Sequence, residues 1–419
     1  MAVTAYKLPD GRDLSEGLVP KSYLIDRYPE LVDGLRQSGL WGWGINTEGE
    51  LGDNTNVSTG KSSPIQTIAG GTNWKQISFA YSNIAGIKTD GTLWGWGYNV
   101  SGSLGVNQTT TLYFSSPVQT IAGGTNWKQC TTGSGQTAAI KTDGTLWLWG
   151  RNSYGQLGDN TIVSKSSPMQ TIAGGTNWKL VSHGGGNNSY LFAIKTDGTL
   201  WGWGYNTTGQ LGDNTIVRKS SPVQTVAGGT NWRTISCSWS HNLAIKTDGT
   251  LWSWGLGTSG QLGDNTIVSK SSPVQTVSGG TNWKQVAASN ATSAALKIDG
   301  TLWTWGNNSA GELGNNLVGA STNVSSPIQT ISGGTNWKQV SANQGGGASG
   351  TAMGAIKTDG TLWMWGYNLN GALGILLTQQ RSSPVQTVAG GTNWKFINAT
   401  GYTSFALRDD SADEYGNYI

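Results

Sequence analysis

The chain has 419 residues, a formal net charge of +3, and charged side chains at only 12% of its positions. So little charge, with only two cysteines, argues against a disordered protein, a disulfide scaffold and a nucleic-acid-binding protein with a basic cluster. No apolar run is long enough for a membrane-spanning helix, and the first residues lack the apolar core of a secretory signal. We therefore expect neither a nucleic-acid partner nor membrane insertion, and the 22 tryptophans become the feature to explain.

The first 39 residues differ in composition from the rest, since 11 of the 39 are charged against 38 of the remaining 380. Residues 28–35 predict a short helix with Pro29 in its first turn. Leu31, Val32 and Leu35 would form its apolar stripe. We expect residues 1–39 to be an anchor or oligomerisation segment that docks on the rest of the molecule or on another chain.

The tryptophans occur in a repeated pattern. The motif Trp-x-Trp-Gly occurs seven times, starting at Trp41, Trp94, Trp147, Trp201, Trp252, Trp303 and Trp363. The motif Gly-Thr-Asn-Trp also occurs seven times, ending at Trp74, Trp127, Trp178, Trp232, Trp283, Trp337 and Trp394. Together they contain every tryptophan except Trp239, and such a period is typical of stacked repeat units.

Each unit predicts four short strands, which in the first complete unit lie at residues 74–78 (A), 84–88 (B), 92–97 (C) and about 117–121 (D). Asp90 and Gly91 predict a two-residue hairpin turn with positive φ at both positions. Pro117 suits an edge strand, where a missing N–H does no harm. Strand C is apolar on both faces, as expected of a sheet stacked between two others.

The ends of the chain predict how the repeats close. Residues 40–44 form a strand C with no A or B before it, and residues 394–410 supply A and B with no C after them. The two halves make one blade, which removes open sheet edges. We predict an all-β fold, a seven-bladed β-propeller over residues 40–410 closed by N- and C-terminal strands in one blade, with an acidic tail at 411–419.

A further phrase follows the tryptophan strand. Gln156-Leu157-Gly158 comes after Trp147-x-Trp149-Gly150-x-Asn152-x-x-Gly155, and residues 209–212 and 260–263 repeat the phrase Gly-Gln-Leu-Gly. This pattern resembles the repeat of the regulator of chromosome condensation family, which implies a seven-bladed propeller. The family includes a nucleotide-exchange factor, a plant ultraviolet photoreceptor and a bacterial β-lactamase inhibitor. Only His241 keeps the histidine that the family carries before strand B, so the chain resembles a divergent, bacterial or phage-like member.

Residues that could do chemistry are few. His183 lies in a Gly/Asn-rich stretch and is expected in solvent, while His241 is expected to fix a turn by hydrogen bonding. Cys130 and Cys237 are expected to be small buried thiols. One aspartate per unit predicts Asx turns, at Asp53, Asp159, Asp213 and Asp264. We therefore expect no catalytic residues, no metal, no cofactor and no enzymatic activity.

One ring of basic residues leaves two interpretations open. Its members follow the strand A tryptophan: Lys75, Lys128, Lys179, Arg233, Lys284, Lys338 and Lys395. The ring either holds an anion near the axis or lies in solvent, offset by the aspartates of the B–C turns.

Strands that run up and down divide the loops between two faces. The B–C turns and D–A links are nearly identical in every unit, whereas the A–B and C–D loops vary in length and composition. Binding residues favour variable loops on a rigid scaffold. The candidate binding residues are Trp239, Tyr81, Tyr402, His183, Asn187, Asn188 and Gln344. For Trp239, an anchor role and the filling of a blade corner are equally open.

These features favour a non-enzymatic structural or binding protein. The leading hypothesis is a phage virion component, such as a capsid decoration, tail or fibre protein, because the units are nearly identical and a separate segment precedes them. Residues 1–39 would contact other virion or scaffold proteins, and the loop face a host-surface protein or glycan. The alternatives are an intracellular bacterial protein-interaction module (an inhibitor or scaffold) and a lectin-like adhesin. We therefore expect the protein in the virion if it is encoded by a phage, and otherwise in the cytoplasm.

Overall fold

The computed structural model describes residues 38–57, 60–67, 73–108, 112–184, 186, 188–342 and 350–409. The first half of these residues contains β1 (Ser38–Gly44), β2 (Lys61–Gln66), β3 (Trp74–Ala80), β4 (Asn83–Lys88), β5 (Leu93–Tyr98), β6 (Tyr113–Gln119), β7 (Trp127–Gly133), β8 (Gln136–Lys141), β9 (Leu146–Gly150), β10 (Lys165–Gln170), β11 (Trp178–Gly184), β12 (Tyr190–Lys195), β13 (Leu200–Gly204) and β14 (Lys219–Gln224). A 3₁₀ turn lies at Val100–Gly102.

The second half contains β15 (Trp232–Cys237), β16 (His241–Lys246), β17 (Leu251–Gly255), β18 (Lys270–Gln275), β19 (Trp283–Ser289), β20 (Thr292–Lys297), β21 (Leu302–Gly306), β22 (Val324–Gln329), β23 (Trp337–Ala342), β24 (Ala352–Lys357), β25 (Leu362–Gly366), β26 (Arg381–Gln386), β27 (Trp394–Ala399) and β28 (Thr403–Asp409). A 3₁₀ turn lies at Ala320–Thr322. The strands form seven antiparallel sheets of four, which are the blades of a β-propeller.

The seventh blade joins the two ends of the described chain. Its strand order is β2-β1-β28-β27, so β1 and β2 complete a sheet that β27 and β28 begin. β1 pairs with β28 over seven residues, from Ser38 opposite Asp409 to Gly44 opposite Thr403. The predicted all-β propeller closed by a shared blade is confirmed.

The tryptophans pack between neighbouring blades. The second tryptophan of each Trp-x-Trp-Gly motif is buried, and the indole N–H of Trp203, for example, donates to the Gln156 carbonyl of the preceding blade at 2.9 Å. Gly158 adopts a φ of +64°, and a Cβ there would lie 2.8 Å from the Trp203 ring. The Gln-Leu-Gly segment therefore packs closely against the indole of the next blade.

Strand A of each blade lies innermost and leaves one edge facing the axis. Side chains of the preceding blade satisfy this edge: the Gln129 amide exchanges two hydrogen bonds with Val181, at 3.0 and 3.1 Å. The Ser182 hydroxyl accepts the N–H of Cys237 at 3.1 Å. Such pairing matters because an unsatisfied buried backbone group costs free energy. The innermost strands enclose an axial cavity of about 480 Å³.

A second set of contacts joins the blades at their rim. Each C–D loop donates one backbone N–H to the outermost strand of the next blade, as Asn160 does to Ser220 at 2.9 Å. The seven donors all have positive φ: Asn54, Asn107, Asn160, Asn214, Asn265, Asn316 and Leu376. Asparagine tolerates this left-handed region better than most residues, so the repeat selects it.

The B–C turn differs from its prediction. The Lys88 N–H bonds to the Thr92 carbonyl and the Gly91 N–H to the Lys88 carbonyl, which defines a three-residue loop. Only Gly91 has positive φ, at +79°. The prediction of a two-residue turn was wrong because the Asp90 carboxylate accepts the N–H and hydroxyl of Thr92, which stabilises the longer loop.

Candidate binding face

Backbone hydrogen bonds define the two faces of the propeller. On the variable face the A–B turn is hydrogen-bonded to the C–D loop of the same blade. The Tyr98 N–H, for example, donates to the Ser82 carbonyl at 2.8 Å. On the uniform face the B–C turn is hydrogen-bonded to the D–A links. The Thr89 N–H, for example, donates to the Asn73 carbonyl at 2.8 Å. Ser38 and Asp409, at the ends of the described chain, lie together on the uniform face.

The predicted binding residues do not form one cluster. Tyr81 is exposed at a φ of +60° in the first blade. Tyr402 is half-buried, with its ring 6.5 Å from the Tyr367 ring of the neighbouring blade. Trp239 is half-buried against Gly186, where a Cβ would lie 3.3 Å from the indole. Asn188 is half-buried in a bend, whereas Asn187, Gln344, Leu31, Val32 and Leu35 lie outside the described residues.

His183 is not in solvent, so that expectation was wrong. It is the sixth residue of β11 and only 3% exposed. Its imidazole packs on Gly133 of the preceding blade, where any Cβ would overlap the ring. Burial lowers the pKa of His183 to about 3, so the ring is neutral. The glycine-rich sequence after His183 suggested a loop, but the strand continues because Gly133 leaves room for the ring.

His241 stabilises a turn, as expected. Its Nδ1 lies 2.7 Å from the Ser238 hydroxyl and its Nε2 lies 2.9 Å from the Ser293 hydroxyl. Both serines and the histidine are fully buried, and burial lowers the pKa of His241 to about 3. A serine–histidine pair without access for a substrate cannot act as nucleophile and base.

The cysteines and turn aspartates also have structural roles. Cys130 and Cys237 are buried thiols that form no disulfide with each other, and burial raises the pKa of both, that of Cys237 to about 12. Asp159 accepts the N–H of Thr161 at 3.0 Å, which forms the expected Asx turn. Among the described residues, no cluster of three or more His, Cys, Asp or Glu side chains could hold a metal ion.

Sequence reasoning missed one cluster on the variable face. The rings of Tyr154 and Tyr205, from adjacent blades, lie 5.1 Å apart at 61°. The Arg218 guanidinium lies over both rings, at 4.5 and 5.0 Å from their centroids. Arg218 is exposed and forms no ion pair with another described residue. An arginine stacked on tyrosines keeps its N–H groups available at a fixed position.

The repeat itself contained a signal for this cluster. Arg218 stands where neighbouring units carry Ser164 and Ser269 in otherwise identical Thr-Ile-Val-x-Lys phrases. Tyr154 likewise stands where the following units carry Thr208 and Ser259. Aligning the units would have marked these departures, but their contact depends on how adjacent blades meet.

The fold is a seven-bladed propeller whose variable loops share one face. Residues 143–191, 197–245, 248–296 and 299–346 match the model of the regulator of chromosome condensation (RCC1) repeat, and a second model of this repeat matches residues 232–261 and 283–312. Residues 143–346 of the chain are therefore similar to tandem RCC1 repeats. No helix among the described residues is long and apolar enough to cross a membrane.

The relatives are similar over part of their length. The chain is 30% identical to the ultraviolet-B receptor UVR8 of Arabidopsis thaliana, over 55% of this chain and 52% of the receptor. It is 29% identical to the mitochondrial RCC1 domain-containing protein RUG3 of the same plant, over 67% of this chain and 65% of that protein. The chain thus spans less than two thirds of either relative.

Two solved structures share the fold. Yeast RCC1 (Prp20), in its structure with Kap60, aligns with a TM-score of 0.76 at 18% identity, over 91% of this chain and 90% of that one. Human WBSCR16 aligns with a TM-score of 0.74 at 20% identity, over 88% of this chain and 99% of that one. At such identities the similarity supports the fold alone.

Proposed function

We propose that this chain is a non-enzymatic, protein-binding propeller that holds its partner on the variable face. The observation that carries the proposal is the cluster of Tyr154, Tyr205 and Arg218, in which two departures from the repeat, Tyr154 and Arg218, meet at the Tyr205 ring across a blade boundary. Tyrosine and arginine are the side chains enriched at the energetic centres of protein interfaces. A rigid scaffold with variable loops suits this role.

Further exposed or half-exposed aromatics on the same face support a protein partner. Tyr98 and Tyr113 stack with centroids 5.2 Å apart, and Tyr113 is 50% exposed. Tyr81 is 46% exposed. The buried serine–histidine pair and the buried thiols offer a substrate no reactive group, which favours binding over catalysis.

The proposal is broader than the virion hypothesis. The relatives named above are plant, yeast and human proteins. A bacterial or phage origin, contacts with virion proteins and a location in the virion or cytoplasm stay predictions.

The test removes the three side chains of this cluster. Tyr154→Ser, Tyr205→Asn and Arg218→Ser introduce residues that other units carry at these positions, so the fold is expected to persist. A matched control changes three exposed residues of the uniform face, Ile172→Ser, Val226→Ser and Val277→Ser. Partners retained by the immobilised chain from its source organism are identified by mass spectrometry, and the affinity of each purified partner is measured.

We expect the triple variant to bind a specific protein partner at least about tenfold more weakly, since interface centres of this type contribute about 2 kcal/mol or more. The uniform-face control is expected to bind like the unchanged chain. Equal affinities for all three chains, or binding of glycans but no protein, would contradict the proposal.

A further inference from the structure

The two faces of the propeller differ in charge. Between residues 38 and 409 the uniform face carries fourteen Lys or Arg side chains and seven aspartates, whereas the remainder carries seven basic and seven acidic residues. The whole excess of positive charge in this part of the chain therefore lies on one face. Such an asymmetry attracts anions to that face.

Seven of these cations encircle one mouth of the axial cavity. They are the second residues of the innermost strands, and all but Arg233 immediately precede a residue that lines the cavity: Lys75, Lys128, Lys179, Arg233, Lys284, Lys338 and Lys395. The Arg233 guanidinium donates to the carbonyl of Trp283 in the next blade at 2.6 Å, so this side chain runs along the ring. We call this set the mouth ring.

Most of the mouth ring is available to a ligand. Lys75, Lys128, Lys179, Lys284 and Lys338 are exposed and form no ion pair with any described residue. Lys395 pairs with Asp409 at 2.6 Å. Five free ammonium groups around one opening repel each other, and a multivalent anion at the centre would relieve that repulsion.

The other charges of this face lie farther from the axis and are already engaged. Lys88 ends β4, and its ammonium group lies 4.4 Å from the Trp94 ring centroid and 5.2 Å from that of Trp74. Asp90, in the turn between the second and third strands, accepts two hydrogen bonds from Thr92. Five further blades repeat this arrangement with Asp143, Asp197, Asp248, Asp299 and Asp359. An outer set of carboxylates therefore surrounds the mouth ring.

We propose that the mouth ring binds a compact polyanion, namely a small molecule that carries several phosphate groups. Lysine ammonium groups bind phosphate as point charges, and here the lysines are arranged around one opening rather than along a stripe. Outside the ring this face carries as many carboxylates as cations, so its excess positive charge is concentrated at the opening, which favours a compact ligand over an extended nucleic acid. This site lies on the face opposite the proposed partner surface and is independent of that function.

The test measures binding of two probes, inorganic tripolyphosphate and inositol hexakisphosphate, by calorimetry at 50 and 200 mM salt. The ring variant carries Lys75→Gln, Lys284→Gln and Lys338→Gln. The matched control carries Lys165→Gln, Lys219→Gln and Lys270→Gln, which removes the same charge from the outermost strands. Duplex DNA and poly-glutamate serve as extended polyanions, and melting curves check that each variant is folded.

We expect at least one phosphate probe to bind the unchanged chain at 50 mM salt, more weakly at 200 mM salt, and the ring variant at least about tenfold more weakly. The control is expected to stay within about twofold of the unchanged chain. No binding of either probe, or equal weakening in both variants, would overturn the site. Tighter binding of DNA or poly-glutamate than of the probes, lost in the ring variant, would overturn the choice of a compact ligand.

Discussion

At the scale of single residues, Glu50 is a carboxyl group buried where other repeats carry Gln156, Gln210 and Gln261. It is 2% exposed and accepts the Glu48 N–H at 2.8 Å, as the Gln156 amide oxygen does for Tyr154 at 2.7 Å. Burial raises the pKa of Glu50 to about 7. A neutral glutamine makes the same hydrogen bond without burying a charge.

This residue predicts a pH dependence of stability. Folded Glu50 binds more protons than the unfolded chain between pH 4.5 and 7, so the free energy of unfolding falls as the pH rises through that range. Glu50→Gln removes this decrease in the free energy of unfolding, which amounts to on the order of 3 kcal/mol. We expect denaturant unfolding to show a gain for Glu50→Gln at pH 8 and little change at pH 5.

The reciprocal substitution Gln156→Glu is the control, because it places a carboxyl group at the equivalent buried position. It is expected to lower stability at pH 8 far more than at pH 5. Equal changes for either variant at the two pH values would show that the carboxyl charge is not responsible.

At the scale of elements, the C–D loops join blades through a backbone position with positive φ, which six blades fill with asparagine. Leu376 occupies the seventh position at a φ of +63° and donates its N–H to the Ser62 carbonyl at 3.0 Å. Its side chain is 63% exposed, so it contributes little packing in return. A residue other than glycine or asparagine is strained there.

We therefore expect Leu376→Asn to raise the free energy of unfolding by about 1 kcal/mol. Leu377→Asn is the matched control, since Leu377 is also exposed but lacks positive φ. Urea unfolding followed by tryptophan fluorescence measures both changes. The same gain from both substitutions would show that reduced surface hydrophobicity, and not relief of backbone strain, raises the stability.

Sequence periodicity predicted the elements better than it predicted contacts between them. Alternation and the repeated tryptophans located the strands, because both follow from packing within one unit. The B–C turn was misassigned because the Asp90–Thr92 hydrogen bonds select a longer loop than the Asp-Gly pair suggests. His183 was misplaced because its environment depends on Gly133, which lies fifty residues earlier in another blade.

At the scale of the whole molecule, one shared blade closes the ring. β1 pairs with β28 along its full length, and the Leu376 N–H bonds to Ser62 in β2. Removing β1 and β2 leaves β28 with an unpaired edge. It also uncovers the hydrophobic cluster that contains Trp394. Closure therefore converts seven similar units into one cooperative fold.

We expect deletion of residues 1–68 to abolish cooperative unfolding, because it removes both closing strands. Calorimetric melting measures this change. A circular permutant opened at Gly123, with residue 409 joined to residue 38 by a short linker, retains every strand and is expected to keep a sharp transition. An unchanged sharp transition after the deletion would contradict the closure.

The most direct test of the proposed protein-binding face is site-specific photo-crosslinking in the organism that produces the chain. A photoreactive phenylalanine replaces Tyr81 or Tyr113 on the variable face, and Ile121 or Ile331 on the uniform face, all of which are exposed. We predict a discrete covalent complex with the same protein from both variable-face positions and none from the uniform-face positions. Crosslinks to that protein from the uniform face alone, or from all four positions equally, would contradict the assignment of the variable face as the binding surface.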